Sequence, residues 1–229
     1  MARATRTEII ARYLNMIGVS HVPVRPVRVL NRGSAKQEIA SLPGKKKDLI
    51  ELREHIGDCT RCRLCEGRKN VVFGVGNLDA DIMFIGEGPG VDEDNQGEPF
   101  VGAAGKRLNL WIARLGYERK DVYIANIVKC RPPGNRTPRP DEAATCLPFL
   151  KRQIDIIAPK LIVTLGGPAL NYLLGRNERI TRVRGTRFLC ADIPLFPTYH
   201  PAYILRNPAR EKEVFLDLDT IKDLLMKKL

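Results

Sequence analysis

The 229-residue sequence contains no run of 18 apolar residues, the length that a helix needs to cross a bilayer. Its first residues, MARATRTEIIARYLNMIGV, lack the apolar stretch and the small-residue cleavage site of a secretory signal. Internal repeats and low-complexity tracts are also missing from the sequence. These absences predict a cytoplasmic globular protein without a membrane partner.

Acidic residues are scarce relative to basic ones. The 26 Asp and Glu stand against 38 Lys and Arg, which gives a formal net charge of +12. Such an excess predicts an anionic partner, and nucleic acid is favoured over membrane because no amphipathic anchor is evident. Binding to DNA would associate the protein with the nucleoid.

The excess charge is concentrated at the front of the chain. Residues 1–47 hold ten Lys and Arg and two Glu, a net of +8 out of the total of +12. We interpret residues 1–47 as a basic N-terminal extension that ends in the linker SLPGKKK, and residues 48–229 as the main domain. The extension is either a partly disordered tail or an arm that contacts DNA, a sliding clamp or a repair protein.

Four short apolar runs alternate with helical patterns after the extension, at residues 81–86, 122–127, 160–166 and 194–199. Strands that alternate with helices are typical of α/β proteins. The sequence therefore predicts a three-layer αβα sandwich with a central, mostly parallel four-stranded sheet.

Each predicted strand runs into a chemically distinctive group. These groups are GEGPG from Gly86, Asn126, the Gly166–Gly167 pair and His200. Ligands of open α/β sheets bind beyond the carboxyl ends of the strands. We therefore expect these groups to surround one pocket.

The GEGPG turn does not have the pattern of a phosphate-binding loop. It opens no GxGxxG helix and carries no GKS or GKT, and the acids that include Glu87 and Glu93 would repel a pyrophosphate. A carboxylate at a strand end suits a group that orients water or stabilises a cation. The alternative is a surface turn with solvated acids.

Six cysteines in a reducing compartment favour metal binding over disulfides. Cys59-x2-Cys62-x2-Cys65 begins like a ferredoxin run, but the fourth cysteine of such a run is missing. Cys59 and Cys62 with the distant Cys130 and Cys146 complete a set of four thiolates. Zinc and an iron–sulfur cluster both satisfy this count, and Cys65 and the sixth cysteine are expected to be small buried residues.

Two further stretches suggest contacts with DNA. CRPPGNRTPRP is a stiff basic loop whose Arg131 and Arg136 suit backbone phosphates. In HPAYILRNP, Ile204 and Leu205 are either exposed wedges or ordinary core, and Arg206 is a candidate phosphate contact. Exposed apolar wedges are expected of a protein that unstacks a base.

The blocks GEGPGVDEDNQGEPFVGAAGKRL, NIVKCRPPGNRTPRPDEAATC and HPAYILRNP strongly resemble the type-4 uracil-DNA glycosylases, an iron–sulfur branch of their superfamily. CTRCRLCEGRKNVVFGVGN resembles the start of that family's core, and the likeness covers about residues 48–225. It implies a base excision repair enzyme that flips uracil out of single- or double-stranded DNA. Hydrolysis of the N-glycosidic bond then leaves an abasic site, and we expect the enzyme to act as a monomer.

The resemblance also implies roles for individual residues. Phe100 would stack on uracil and Asn126 would read its edge, while His200 donates to uracil O2. Glu87 and Asn135 would act near the sugar.

Two further positions are expected to line this pocket. The backbone at Gly88 would approach the base closely, and Glu93 would form the wall that excludes the thymine methyl group. The cofactor implied is a 4Fe–4S cluster on Cys59, Cys62, Cys130 and Cys146.

Two other readings remain at this point. A covalent uracil-DNA trapping protein of the same superfamily would need a nucleophilic histidine in the basic loop, where this chain has Asn135. A non-enzymatic iron–sulfur DNA-binding module would have an inactive pocket.

Overall fold

A computed structural model describes residues 44–226 of the chain. The basic extension therefore lies outside the described residues, apart from residues 44–47. These four residues form the start of helix α1, Gly44–Ile56, rather than the predicted linker. The Lys45 ammonium donates to the carbonyls of Leu78 and Ile157, at 3.3 and 3.0 Å, and so attaches the start of the helix to the domain.

The sheet has six strands, in the spatial order β1-β3-β2-β4-β6-β5. The four inner strands are parallel and confirm the predicted runs, whereas the edge strands β1 and β5 pair antiparallel with their neighbours. The prediction of four strands missed both edges because two or three residues are too few to produce a recognisable pattern. The strands are Val75–Gly76, Ile82–Gly86, Tyr123–Asn126, Leu161–Leu165, Phe188–Cys190 and Ile193–Thr198, β1 to β6 in chain order.

Seven helices follow α1 in the described part of the chain. Four of them were predicted from apolar spacing, namely Ala103–Arg114, Pro140–Ile157, Gly167–Leu174 and Glu211–Met226. The other three are only four to six residues long. The seven helices are Val91–Gln96, Ala103–Arg114, Pro140–Ile157, Gly167–Leu174, Ile180–Val183, Pro201–Arg206 and Glu211–Met226, α2 to α8 in chain order.

Side chains of the inner strands alternate between two apolar cores. Met83 and Ile85 of β2 belong to the core that includes residues of α1, α4 and α5. Ile82 and Phe84 belong to the core with residues of α3, α7 and α8. This confirms the three-layer αβα sandwich, and burial on both faces explains why the strands read as continuous apolar runs. No helix within residues 44–226 is long and apolar enough to cross a membrane.

Parallel pairing brings the ends of the inner strands to one edge. Gly86 of β2 is in register with Asn126 of β3. Beyond the strands, the Val128 amide donates to the Glu87 carbonyl at 3.2 Å, and the Gly166 amide donates to the Thr198 carbonyl at 2.9 Å. The functional groups predicted from the sequence therefore share this edge.

Candidate active site and cysteine cavity

A cavity of about 330 Å³ opens at the carboxyl edge of the sheet. It brings together all the residues for which we predicted a catalytic or base-binding role. Its lining includes Glu87, Gly88, Glu93, Phe100, Asn126, Asn135 and His200.

Asn126 carries an unsatisfied amide at the base of this cavity. The residue is 1% exposed, and neither its Oδ1 nor its Nδ2 has a hydrogen-bond partner. A buried amide without partners costs free energy, and one that lines a cavity can recover that cost by binding a ligand. The chemistry of this amide calls for a ligand that presents one donor and one acceptor side by side.

Gly86 leaves the space in which this amide and the Phe100 ring meet. A Cβ at Gly86 would lie 2.4 Å from Asn126 Oδ1 and 2.6 Å from Phe100 Cζ. Any side chain there would push the ring or the amide out of place. At Gly88 a Cβ would lie 2.8 Å from Val128 Cγ2, so a side chain there would press against Val128.

Phe100 and His200 are the two rings of the cavity. Their centroids are 5.6 Å apart, and the ring planes are inclined by 33°. Phe100 is buried and has a left-handed backbone conformation, with φ of 53°. A flat apolar ring beside an unpaired amide is suited to a planar heterocycle.

Glu93 fixes the segment that carries Phe100. Its carboxylate accepts hydrogen bonds from the amides of Gly90, Val101 and Gly102, at 3.1, 3.0 and 3.1 Å. These bonds close the loop between the start of α2 and the start of α3. Glu93 therefore holds the ring in place as well as lining the cavity, a structural role that we did not predict.

His200 is held as a neutral hydrogen-bond donor. Its Nδ1 accepts from the Ala202 amide at 3.1 Å, so in the neutral ring the proton is on Nε2. Burial and the nearby charge of Arg206 lower the pKa of His200 to about 4. The imidazole is therefore uncharged at neutral pH and donates from Nε2.

Glu87 is the carboxylate of the cavity. Burial raises the pKa of Glu87, and a hydrogen bond from the Thr137 side chain opposes that shift. A half-buried carboxylate at a strand end retains the means to act on a cation or a water molecule.

Several residues of the cavity lining were not predicted, among them Pro132, Pro138 and Tyr203. Tyr203 stacks on Tyr199 with ring centroids 4.9 Å apart. Because Tyr203 follows His200 by three residues, helical spacing would have placed both on one side of a helix. We did not use this signal because HPAYILRNP was interpreted as a loop.

Arg136 lines the cavity with a side chain that is one-third exposed, and it also pairs with a carboxylate of the protein. Its guanidinium makes two bonds to the fully buried Glu142 carboxylate, at 2.7 and 2.8 Å. This pairing lowers the pKa of Glu142 to about 2 and fastens the loop to α4. Arg131 Nε donates to Asn135 Oδ1 at 2.7 Å, and Asn135 is exposed at the mouth of the cavity.

The expectation of an exposed wedge is wrong for Ile204. The segment forms helix α7, which turns Ile204 into the core, where it is 1% exposed. Leu205 is 39% exposed, and the exposed Arg206 lines the cavity.

A second, smaller cavity is lined by four cysteines, Cys59, Cys62, Cys130 and Cys146. Cys65 does not line it. Nitrogen donors contact three of the four sulfurs: Arg61 Nη1 lies 3.2 Å from Cys59, Arg68 Nη1 3.5 Å from Cys130 and the Lys129 amide 3.3 Å from Cys146.

The four thiols of this cavity come from three separate segments of the chain. Within residues 44–226 no three His, Cys, Asp or Glu side chains are placed to hold a single metal ion. Burial raises the pKa of the Cys130 thiol to about 12, so its thiolate needs a positively charged partner. Four thiols around one cavity, with N–H donors at three sulfurs, fit an iron–sulfur cluster.

Lys129 lies between the two cavities. It is 1% exposed, and its ammonium donates to the Asn126 carbonyl at 2.9 Å and to Gln153 Oε1 at 2.6 Å. Gln153 in turn donates to the Phe73 carbonyl and the Tyr123 hydroxyl. The backbone of Asn126 is therefore anchored from the side of the cysteine cavity.

Comparison with known proteins finds one matching family and several similar relatives. The family model of the uracil DNA glycosylase superfamily matches residues 73–220. The chain is 48% identical over 185 residues to the type-4 uracil-DNA glycosylase of Sulfurisphaera tokodaii, covering 77% of this chain and 84% of that protein. It is 46% identical over 187 residues to the type-4 enzyme of Thermotoga maritima, covering 80% and 97%.

Proposed function

The chain belongs to the type-4 uracil-DNA glycosylases of the uracil-DNA glycosylase superfamily, and we propose that it removes uracil from DNA in base excision repair. The observation that carries this proposal is the unpaired, buried amide of Asn126 beside the rings of Phe100 and His200. The reaction is hydrolysis of the bond between uracil N1 and the sugar C1′, which leaves an abasic site.

Base recognition follows from the donors and acceptors of the amide. Asn126 Oδ1 accepts from uracil N3–H, and Nδ2 donates to O4, while Phe100 stacks on the ring. Cytosine presents an acceptor at N3 and a donor at position 4, so it mismatches the same amide at both atoms. The base must leave the DNA stack to reach Asn126, which costs a few kcal/mol.

His200 stabilises the leaving group. Breaking the N1–C1′ bond places negative charge on uracil, which its O2 shares. The Nε2–H of the neutral imidazole donates to O2, and preorganised donors of this kind are worth about 2.7–4 kcal/mol in the transition state. The low pKa of His200 keeps the ring from carrying a charge before the reaction begins.

Glu87 acts on the sugar side, where positive charge develops at C1′. Its ionised carboxylate stabilises that charge and orients the attacking water. Asn135, at the mouth of the cavity, assists in placing this water. The side chain of Glu93 borders the space that a thymine methyl group would need.

The four cysteines of the second cavity would hold a 4Fe–4S cluster. When bound, such a cluster supplies four iron–thiolate links that tie the Cys59–Cys62 segment to the loop before α4. Iron and sulfide analysis of purified protein tests this assignment. We expect brown protein that contains four iron and four sulfide per chain, by the stoichiometry of such clusters, and one bound zinc without iron would contradict it.

The remaining parts of the proposal concern partners and location. We propose that the enzyme acts as a monomer on single- and double-stranded DNA, in the cytoplasm at the nucleoid. Residues 48–229 form the glycosylase domain. Residues 1–47, which carry +8 of the net charge, contact DNA, a sliding clamp or a repair protein.

The proposal is tested with a panel of labelled oligonucleotides that carry one uracil, cytosine or thymine. After incubation with the protein, alkali cleaves the strand wherever a base has been lost. We expect cleavage only at uracil, in single strands and opposite each base. Intact uracil strands would favour the non-enzymatic DNA-binding module, and a protein–DNA band that survives boiling would favour the trapping protein.

A further inference from the structure

The stretch RNERITRVRGTR, residues 176–187, is strongly basic and has no role in the chemistry of the cavity. It contains five arginines and one glutamate. A surface with this excess of positive charge, if it faces the substrate, is an electrostatic footprint for phosphate.

Specific contacts hold the stretch in one conformation. The Asn171 side chain makes two hydrogen bonds to the backbone of Glu178, at 3.1 and 2.8 Å. The Gly185 amide donates to the Pro197 carbonyl at 2.8 Å. A basic segment that is already ordered loses little further conformational entropy when it binds.

Two of the arginines contact neighbouring side chains, and three others face solvent. Arg184 pairs with the buried Asp217 at 3.1 Å, and the Arg176 guanidinium lies over the Phe188 ring, 5.6 Å from its centroid. The remaining three, Arg179, Arg182 and Arg187, are exposed.

The stretch lies at the same edge of the sheet as the base-binding cavity. Ile180 packs within 3.7 Å of the Cβ position of Gly167, and the Cβ position of Gly166 lies 3.2 Å from His200 Cβ. The Gly185–Pro197 bond ties the other end of the stretch to β6, three residues before His200. The stretch that carries the exposed arginines therefore lies near the strand end that carries His200.

The basic loop 131–139 borders the opposite side. It follows β3, and the sheet order places β2 and β4 between β3 and β6. Three strand spacings of about 4.8 Å separate the two sides by roughly 14 Å. This distance corresponds to about four nucleotides along one DNA strand at ~3.4 Å each.

We propose that Arg179, Arg182 and Arg187 form a second phosphate-binding surface, which holds the DNA backbone on the His200 side of the flipped nucleotide. This inference rests on the proposed function, because it takes DNA as the substrate. Loop 131–139 holds the other side, so that the backbone is gripped on both sides of the base that leaves the stack. Phosphate contacts of this kind position DNA without reading its sequence.

The test replaces Arg179, Arg182 and Arg187 with serine in the full chain. The matched control replaces Lys151, Arg152 and Lys222 with serine, which removes the same charge from exposed positions on α4 and α8. Binding is measured on a duplex with a non-cleavable abasic-site analogue at several salt concentrations. Each lost phosphate contact lowers the magnitude of the slope of log Kobs against log salt concentration by about 0.9. The arginine variant loses three contacts, so we expect its slope to be smaller in magnitude by about 2.7.

We expect the control to keep both the parent's slope and the parent's single-turnover rate of uracil release. An unchanged slope in the arginine variant, or an equal change in the control, overturns the inference. Thermal melting checks that both variants are folded. Binding is measured without cleavage, so it does not depend on catalysis. If the parent protein binds DNA but releases no uracil, the proposed function is refuted, and the comparison of salt slopes still tests the phosphate-binding surface.

Discussion

At the scale of single residues, the site depends on groups whose hydrogen bonding is incomplete or fixed in one direction. Asn126 lacks partners for both amide atoms, and His200 is fixed as a neutral donor by the Ala202 amide. The sequence placed both residues at strand ends. It could not show the tautomer of His200, because that depends on a backbone amide brought close by the turn into α7.

Replacing Asn126 with alanine removes both polar contacts to the base. We expect kcat/KM on uracil to fall by about 10²- to 10³-fold, since each unmade buried hydrogen bond costs about 1–3 kcal/mol. Asn177→Ala, at an exposed position between α5 and α6, is the control and should match the parent. Equal kcat/KM for the Asn126→Ala and parent proteins would remove Asn126 from base recognition.

The pH dependence of single-turnover uracil release separates Glu87 from His200. Burial raises the pKa of Glu87, and the active form is the carboxylate, so the rate should fall as pH drops through that pKa. His200, with a pKa of about 4, stays neutral over most of this range. Glu87→Gln should be slower and lose the acid limb, whereas His200→Ala should lose about 10²- to 10³-fold in rate and keep the limb.

An acid limb that persists in the Glu87→Gln protein would assign that titration to another group. A His200→Ala protein as fast as the parent would exclude the histidine as the donor to O2.

At the scale of elements, the inner strands and the long helices could be predicted, because each presents a continuous apolar run or helical spacing. The shorter elements could not. Helix α7 has six residues, and only the tertiary contacts of Ile204 show which way its apolar side chains face. The ion pair of Arg136 was missed for a related reason: its partner Glu142 is next to it only because α4 begins at Pro140.

Lys129 links the cysteine cavity to the base-reading residue. Lys129→Met keeps the apolar length of the side chain but removes the bonds to the Asn126 carbonyl and Gln153. We expect KM on uracil-containing DNA to rise about 10-fold, in line with the ~1.5–3 kcal/mol of a charged hydrogen bond, with a smaller change in kcat. The iron content of Lys129→Met should match that of the parent. The control is Lys151→Met, at an exposed position. If Lys129→Met loses iron while its KM stays unchanged, Lys129 only supports the cysteine cavity.

At the scale of the whole molecule, the four cysteines connect parts of the chain that are far apart in sequence. Cys59 and Cys62 lie after α1, Cys130 follows β3, and Cys146 is in α4. The sequence predicted this set by counting thiols, but it could not distinguish zinc from a cluster. The four thiols line one cavity, and the iron and sulfide analysis proposed above distinguishes the two.

Removing one thiolate tests the structural role of this centre. Cys146→Ala should lose iron and melt at a lower temperature than the parent, since metal–thiolate binding contributes directly to folding free energy. Cys190→Ala, outside the cavity, should keep its iron and melt close to the parent. Full iron content in Cys146→Ala would require a different ligand set, with Cys65 as the first candidate.

The central claim is that one cavity, built from three parallel strand ends, binds uracil through Asn126, Phe100 and His200. A crystal structure of the protein with free uracil tests it most directly. We expect the base stacked on Phe100, with both amide atoms of Asn126 hydrogen-bonded to it and His200 Nε2 donating to O2. Uracil bound elsewhere, or an Asn126 amide still without partners when uracil is present, would contradict it.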